Sequence, residues 1–302
     1  MTAEIKLEGL VRNLPDELYH KVLPKGEASY SSSQFKDAMN DIEYFHKKYV
    51  TQEIKEEHSS TTLNNFAIGH AYHCLTLEKD KFGEQFAIFE GAVKRGKAYD
   101  EFVLDNGDKK ILTKKQLALA KFIADAADKN EISKELRSHG EAEVSLFTVL
   151  HGLKVKVRAD WICFEGFTKK DGTWQPPFIM DMKSTTGNPK DAKKIVKKIE
   201  DLNYDLSAAL YMDAFNEELG SKGLPLIEEW KFCFDSKDSG TSKVYTASAE
   251  MLEVGRKKYM EGLNNINTAE ENDWNFYDTD TEIGPSPWAK ADYLKEDEED
   301  LL

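Results

Sequence analysis

The chain has 302 residues, 40% of them hydrophobic, so it can bury a sizeable core; it shows no apolar run of membrane-spanning length and no signal-peptide centre, which predicts a cytoplasmic protein. Cys74, Cys163 and Cys233 are far apart and lack CxxC spacing, which argues against a disulfide framework or a thiolate metal site and predicts three reduced thiols. The formal charge of −14 speaks against a nucleic-acid partner until its distribution is read: twelve acidic residues against Lys290 and Lys295 in residues 269–302 give −10, leaving −4 for a body whose lysines are clustered.

Residues 1–28 are mixed and contain Pro15 and Pro24, and read as an arm leading into a domain that spans 29–268. One of Ser31, Ser32 and Ser33 can cap a helix carrying Phe35, Met39, Ile42 and Phe45 or Tyr49 at helical spacing. The segment TTLNNFAIGHAYHCLTLEKDKF repeats that period and carries His70 and His73; a histidine on such a face is more often a packed or surface residue than a ligand. Residues 82–112 alternate weakly and contain Asn106-Gly107, which predicts short strands and a turn. Thr113 caps the clearest amphipathic helix, which breaks near Asn130.

The stretch AEVSLFTVLHGLKVKVRADWICFE predicts a hairpin turning at His151-Gly152, with Glu143 on its first strand and Asp160 on its second. After a long loop ending at Pro176-Pro177 comes a strand with Asp181-x-Lys183. Strand side chains alternate, so Asp181 and Lys183 share one face while Met180 and Met182 point into the packing. Asp160 lies on the face of Lys156 and Arg158, opposite Val155, Val157 and Ala159. If the two strands are neighbours, two carboxylates and an ammonium meet, which is the chemistry of a hard divalent cation plus a group that orients or deprotonates water.

A lysine-rich helix follows Asn188-Pro189, with Lys190, Lys193, Lys194, Lys197 and Lys198 over much of its surface. Such a run is a solvated helix face or, beside a metal site, a set of phosphate contacts. A helix over YDLSAALYMDAFNEEL, strands over IEEWKFCFDS and KVYTAS, and a closing helix over AEMLEVGRKKYMEGLNNI complete an α/β core with a mixed sheet and a helical N-terminal portion. Residues 269–302 form an acidic tail with Trp274, Phe276, Tyr277 and Trp288, which reads as a flexible solubilising end or as a segment that docks on a partner or on the protein's own basic groove.

Asp160, Asp181-x-Lys183 and a helix opening Tyr204-Asp205-Leu206 resemble the PD-(D/E)XK nuclease core, a restriction-endonuclease-like mixed sheet flanked by helices. With Ser31-Ser32-Ser33-Gln34-Phe35-Lys36, Gly69-x-Ala71-x-His73-Cys74-Leu75-x-Leu77-Glu78, Ala142-Glu143-x-Ser145 and Lys156-x-Arg158-x-Asp160 in this order, the chain resembles the prophage exonuclease VIII family over residues 27–235.

That resemblance implies Asp160, Asp181 and the Met182 carbonyl as ligands of Mg²⁺, with Mn²⁺ as the alternative. Lys183 would be the water-positioning or basic group, and His73 and Glu143 would complete a second metal position or its outer shell. Arg158, Lys190, Lys193, Lys194, Lys197 and Lys198 would face DNA phosphates. The resemblance also implies 5′-to-3′ degradation of double-stranded DNA ends, a single-strand annealing partner for phage or prophage recombination, and a homo-oligomeric ring. Two departures stand out: the Asp160-to-Asp181 spacing is longer than the family's, and Ser207 occupies the place of its helix glutamine. An endonuclease of the same fold and a non-catalytic interaction module are the rival readings, and an iron–sulfur nuclease is excluded by the missing four cysteines.

Overall fold

A computed structural model describes residues 8–20, 29–91, 93–276, 282–285 and 290. Part of the N-terminal arm joins the fold, as strand β1 (Gly9–Val11) and one helical turn, α1 (Asp16–Tyr19). Helix α2 (Ser32–Asn40) starts at Ser31 in a capping box with Gln34, because both side chains satisfy backbone N–H groups that the first turn leaves open. Helix α3 (Ile42–Phe45) runs into a π-helical turn, His46–Val50, and α4 (Ser60–Leu77) follows, capped by Ser59.

After α5 (Phe82–Gln85) come β2 (Phe86–Phe89), α6 (Lys97–Asn106) and β3 (Lys110–Thr113), where the sequence predicted only strands and a turn. Tyr99, Phe102 and Val103 have helical spacing, and Tyr99 and Phe102 pack on Phe89, so this segment is a helical crossover between the parallel strands β2 and β3. Gly107, at φ 57°, ends that helix and makes no hairpin. Helix α7 (Lys114–Lys129) begins at a Thr113–Gln116 capping box and stops at Asn130, which caps α8 (Glu131–Leu136).

Strands β4 (Glu141–Leu150) and β5 (Leu153–Cys163) form the predicted hairpin, with His151 at φ 50° and Gly152 at φ 84° making a two-residue turn that matches strand twist. The long loop folds into its own small hairpin, β6 (Phe167–Thr168) with β7 (Trp174–Gln175), before β8 (Phe178–Thr185). Then follow α9 (Ala192–Asp201), α10 (Tyr204–Ser221), β9 (Glu229–Ser236), β10 (Ser242–Thr246) and α11 (Ala249–Glu271).

The main sheet has the order β1-β4-β5-β8-β9-β10, parallel between β8 and β9 and antiparallel elsewhere. One face packs Val144, Val157, Ile179 and Phe232 against α2, α9, α10 and α11; the other packs Phe178, Met180, Met182 and Cys233 against α4, α7 and α8. This is the expected mixed sheet between helical layers, and the interior strand β9 is accordingly buried along nearly its whole length. The three cysteines are free and buried. Among the described residues no helix is long and apolar enough to cross a membrane.

Helix α11 clamps the first face. A Cβ on Gly255 would lie 2.1 Å from the Asp205 carbonyl oxygen, and one on Gly262 would lie 2.4 Å from that of Phe35, so only glycine permits this approach to α10 and α2. Beyond α11, Asp273 and Trp274 take positive φ and turn the chain back. Trp274 then stacks on His46 at 4.5 Å and Phe276 meets the same ring edge-on at 5.5 Å. The first two tail aromatics therefore pack on the π-helical turn, whereas Tyr277 and Trp288 lie outside the described residues.

Candidate metal centre

The pairing of β5 with β8 is Trp161 with Met180, Ile162 with Ile179 and Cys163 with Phe178, so Asp160 and Asp181 come next in register on neighbouring strands. There the ladder opens. The Asp160 carboxylate reaches across and accepts the Met182 N–H at 2.8 Å, in place of a strand carbonyl. On the other side of β5, Glu143 falls between the pairs Ala142 with Trp161 and Val144 with Ala159 and is itself unpaired. Its φ of 52° is unusual for a residue with a Cβ; the β4 backbone is strained where its side chain joins Asp160.

Helix α4 supplies the imidazole from the layer above. His73 Nε2 donates to the Met182 carbonyl at 2.9 Å, while Nδ1 lies 3.7 Å from Asp160 and 4.0 Å from Glu143. One ligand atom from each of His73, Glu143 and Asp160 lies within 4.8 Å of the others. Asp181 stands beside this group with its Oδ1 taken by Lys183 Nζ at 2.5 Å. Both peptide groups of Met182 thus face the centre, and its buried side chain points away, as the alternation required.

These donors fit a divalent cation. Three carboxylates and one ammonium sum to −2 with His73 neutral, which a dication would balance. The 2.9 Å between His73 Nε2 and the Met182 oxygen is close to the roughly 3 Å edge between adjacent ligands of an octahedral ion bonded at about 2.1 Å. Carboxylate and carbonyl oxygens suit Mg²⁺, and an added imidazole widens the choice towards Mn²⁺.

Without the ion, protons and Lys183 do this balancing. Burial disfavours the His73 imidazolium, but Asp160 and Glu143 outweigh burial and carry its pKa up from 6.5 to about 9. Burial likewise disfavours the Lys183 ammonium, and Asp181 and Asp160 overcome it, so the group is held protonated well above the ordinary lysine value. His70 is a bystander here: burial and Lys110 push it down to about 4, and its Nδ1 meets Lys110 at 3.1 Å.

A pH dependence follows. The His73 pKa is raised in the fold, so in the metal-free protein its stabilising effect is complete below about pH 6.5 and is lost as pH rises through about 9. A cation that takes the imidazole must expel that proton, so its affinity rises over the same interval. Calorimetric titration of Mn²⁺ in buffers of different ionisation heat is expected to show about one proton released per ion at pH 7, fading towards pH 9, with the release lost in His73→Gln.

The other expected site residues fall into two groups. Lys190, in the turn before α9, and Lys193, Lys194 and Lys197 on it are exposed, and Lys198 is half-buried, donating to Thr185 Oγ1 at 2.8 Å. Arg158 is turned to the N-terminal arm: it donates to Ser145 Oγ at 2.9 Å, Asp16 Oδ1 at 2.8 Å and the Leu14 carbonyl at 3.1 Å, and its guanidinium lies over the Tyr19 ring. Its side chain is only 10% exposed, so in this conformation it holds α1 against the sheet instead of facing solvent.

Tyr204 was missed as a site residue. It opens α10 with its ring 5.0 Å from the Lys183 ammonium, and its place at the start of the motif's Tyr204-Asp205-Leu206 helix was the available clue.

The model of one protein family, described as a PDDEXK-like domain of unknown function (DUF3799), matches residues 31–275. Among solved structures, a Eubacterium rectale protein described as a candidate exonuclease superposes with a TM-score of 0.56 at 16% identity, over 93% of this chain and 98% of that one. At that identity the likeness speaks for the fold alone. SSO0001 aligns over 46% of this chain and 57% of its own with a TM-score of 0.25 and 12% identity, too weak to carry an argument. No curated protein matches the chain.

Proposed function

The chain belongs to the PDDEXK-like family of unknown function (DUF3799), within the PD-(D/E)XK nuclease superfamily, and from that premise we propose that it is a divalent-metal-dependent deoxyribonuclease acting on the ends of linear double-stranded DNA. The observation that carries the reading is the clustering of Glu143 and Asp160 with His73, beside Asp181, which follows in register on β8 and holds Lys183.

In this reading Glu143, Asp160, Asp181, His73 and the Met182 carbonyl hold the cation, Mg²⁺ or Mn²⁺. When bound it supplies Lewis-acid stabilisation of the charge that gathers on the scissile phosphate. Asp160 keeps its orientation through the Met182 N–H, and Glu143 through the strained turn of β4. Lys183, charged and fixed against Asp181 and the Tyr204 ring, orients the attacking water and neutralises a phosphate oxygen. Lys190, Lys193, Lys194, Lys197 and Lys198 lead the duplex away along α9. The ion pairs of Lys194 with Asp191 and Lys197 with Asp201 are solvent-exposed and weak, so phosphates can replace them.

Cleavage from an end in the 5′-to-3′ direction, a role in phage or prophage recombination with a single-strand annealing protein, and a homo-oligomeric ring are further parts of the proposal. Their support is the motif order that resembles the prophage exonuclease VIII family, together with the description of the Eubacterium rectale protein.

A timed digest tests this. Linear duplex labelled at either end, with and without a 5′-phosphate, and a closed circle are incubated with Mg²⁺ or with EDTA. The expected result is loss of the 5′ label from linear DNA only, and only with Mg²⁺. Nicking of the circle would make the protein an endonuclease, and identical lanes with and without Mg²⁺ would leave the non-catalytic reading.

A further inference from the structure

Two lysines flank one aromatic ring beside the candidate centre. The Tyr204 ring centroid lies 5.0 Å from Lys183 Nζ and 5.5 Å from Lys36 Nζ. Lys183 is neutralised by Asp181. Lys36 has no such partner: its ammonium donates to the Leu202 carbonyl at 3.1 Å, and among the described residues no carboxylate lies within ion-pairing distance of it.

The carboxylates that act on Lys36 from a distance are engaged elsewhere: Asp181 holds Lys183. Asp205 takes the Lys258 ammonium at 2.8 and 3.1 Å and the Leu206 N–H at 2.9 Å. A half-buried ammonium beside a second ammonium is costly to hold, and the environment shows that cost: burial and Lys183 push the Lys36 pKa down to about 8. Its position is nonetheless rigid. The α2 helix that carries it is pinned by Gly262 against the Phe35 carbonyl, and α10, which carries Tyr204, is pinned by Gly255 against that of Asp205.

A cation without a carboxylate partner, across the Tyr204 ring from Lys183, is built to receive an anion. We propose that Lys36 is a phosphate-binding residue of the nucleic-acid track, its ammonium taking the backbone phosphate next to the scissile one while Lys183 serves the scissile phosphate itself. This rests on the nuclease reading. It adds a contact from α2 to a site built from the sheet, α4 and Tyr204 of α10.

The test is duplex DNA binding by fluorescence anisotropy in EDTA across a salt series, using the full chain as wild type, Lys36→Gln, Lys36→Met and Lys36→Arg, each checked by thermal melting. Loss of one phosphate contact is expected to lower the slope of log Kd against log salt by about one, and to weaken binding roughly tenfold at low salt, in the Gln and Met variants. The Arg variant is expected to keep the wild-type slope. Folded Gln and Met variants with wild-type slopes would overturn the proposal and leave Lys36 a packing residue. Wild-type protein without affinity for DNA would overturn the nuclease reading itself, an outcome separable from the first.

Discussion

Asp181→Asn is expected to lower strand cleavage on the order of a thousandfold or more, with duplex binding and the melting temperature little changed. The reasoning is electrostatic. Asp181 follows Asp160 in register and interacts with His73, and it also holds Lys183 in place, so the amide removes one anionic donor and releases the ammonium at once. The fold loses little, because burial and Asp160 outweigh Lys183 and raise the Asp181 pKa, so its charge is held at a cost, and it contributes no core packing. Initial rates on linear duplex at saturating Mg²⁺, with circular dichroism melting of the same preparation, provide the check. Cleavage at wild-type rate by a folded Asp181→Asn protein would remove this residue from the site.

Lys183→Met is expected to be almost as severe in rate, by on the order of a hundredfold or more, and different in stability. Methionine keeps the unbranched stem and loses the charge that offsets Asp181 and Asp160. The metal-free protein is therefore expected to melt lower than wild type, and added Mn²⁺ is expected to recover much of the difference by supplying the missing positive charge. Comparing melting curves with and without Mn²⁺ checks this, and a variant that melts like wild type in EDTA would show that Lys183 does not balance the carboxylates.

Much of this site could be read from the residues because it depends on local periodicity. Asp181-x-Lys183 on a strand with buried Met180 and Met182 fixes which side chains face the centre, and the His151-Gly152 turn fixes Glu143 opposite Asp160. What stayed hidden depends on contacts between distant parts of the chain. Arg158 looks like a free cation until α1 folds back and Asp16 claims it. Lys36 stands in the motif from Ser31 to Lys36 with no role of its own, and its approach to Tyr204 comes from the packing of α2 and α10, each held against α11 at Gly262 and Gly255. The strain at Glu143 has no signature in the residue type, because the positive φ is imposed by the neighbouring strand pairs on either side. The α6 helix was misread because it is short and has no buried residue, so the spacing of Tyr99, Phe102 and Val103 set too weak a period against the Asn106-Gly107 turn.

The N-terminal arm and the α11 extension bracket the same picture. Asp16 joins Arg158 and Lys110 on the His70 side of α4, and Trp274 covers the π-helical turn that follows α3. The arm is thereby tied to Lys110 and Arg158 and the segment after α11 to the π-helical turn, while the Asp181 and Lys183 side chains remain 14% and 26% exposed.

The claim on which all of this turns is that these side chains share one divalent cation, and Mn²⁺ anomalous diffraction from crystals of the full chain tests it directly. The account predicts a peak within bonding distance, about 2.1 to 2.3 Å, of carboxylate oxygens from both Asp160 and Asp181 and of the Met182 carbonyl. A peak elsewhere on the molecule, or none at saturating Mn²⁺ with Lys183 still locked on Asp181, would contradict it.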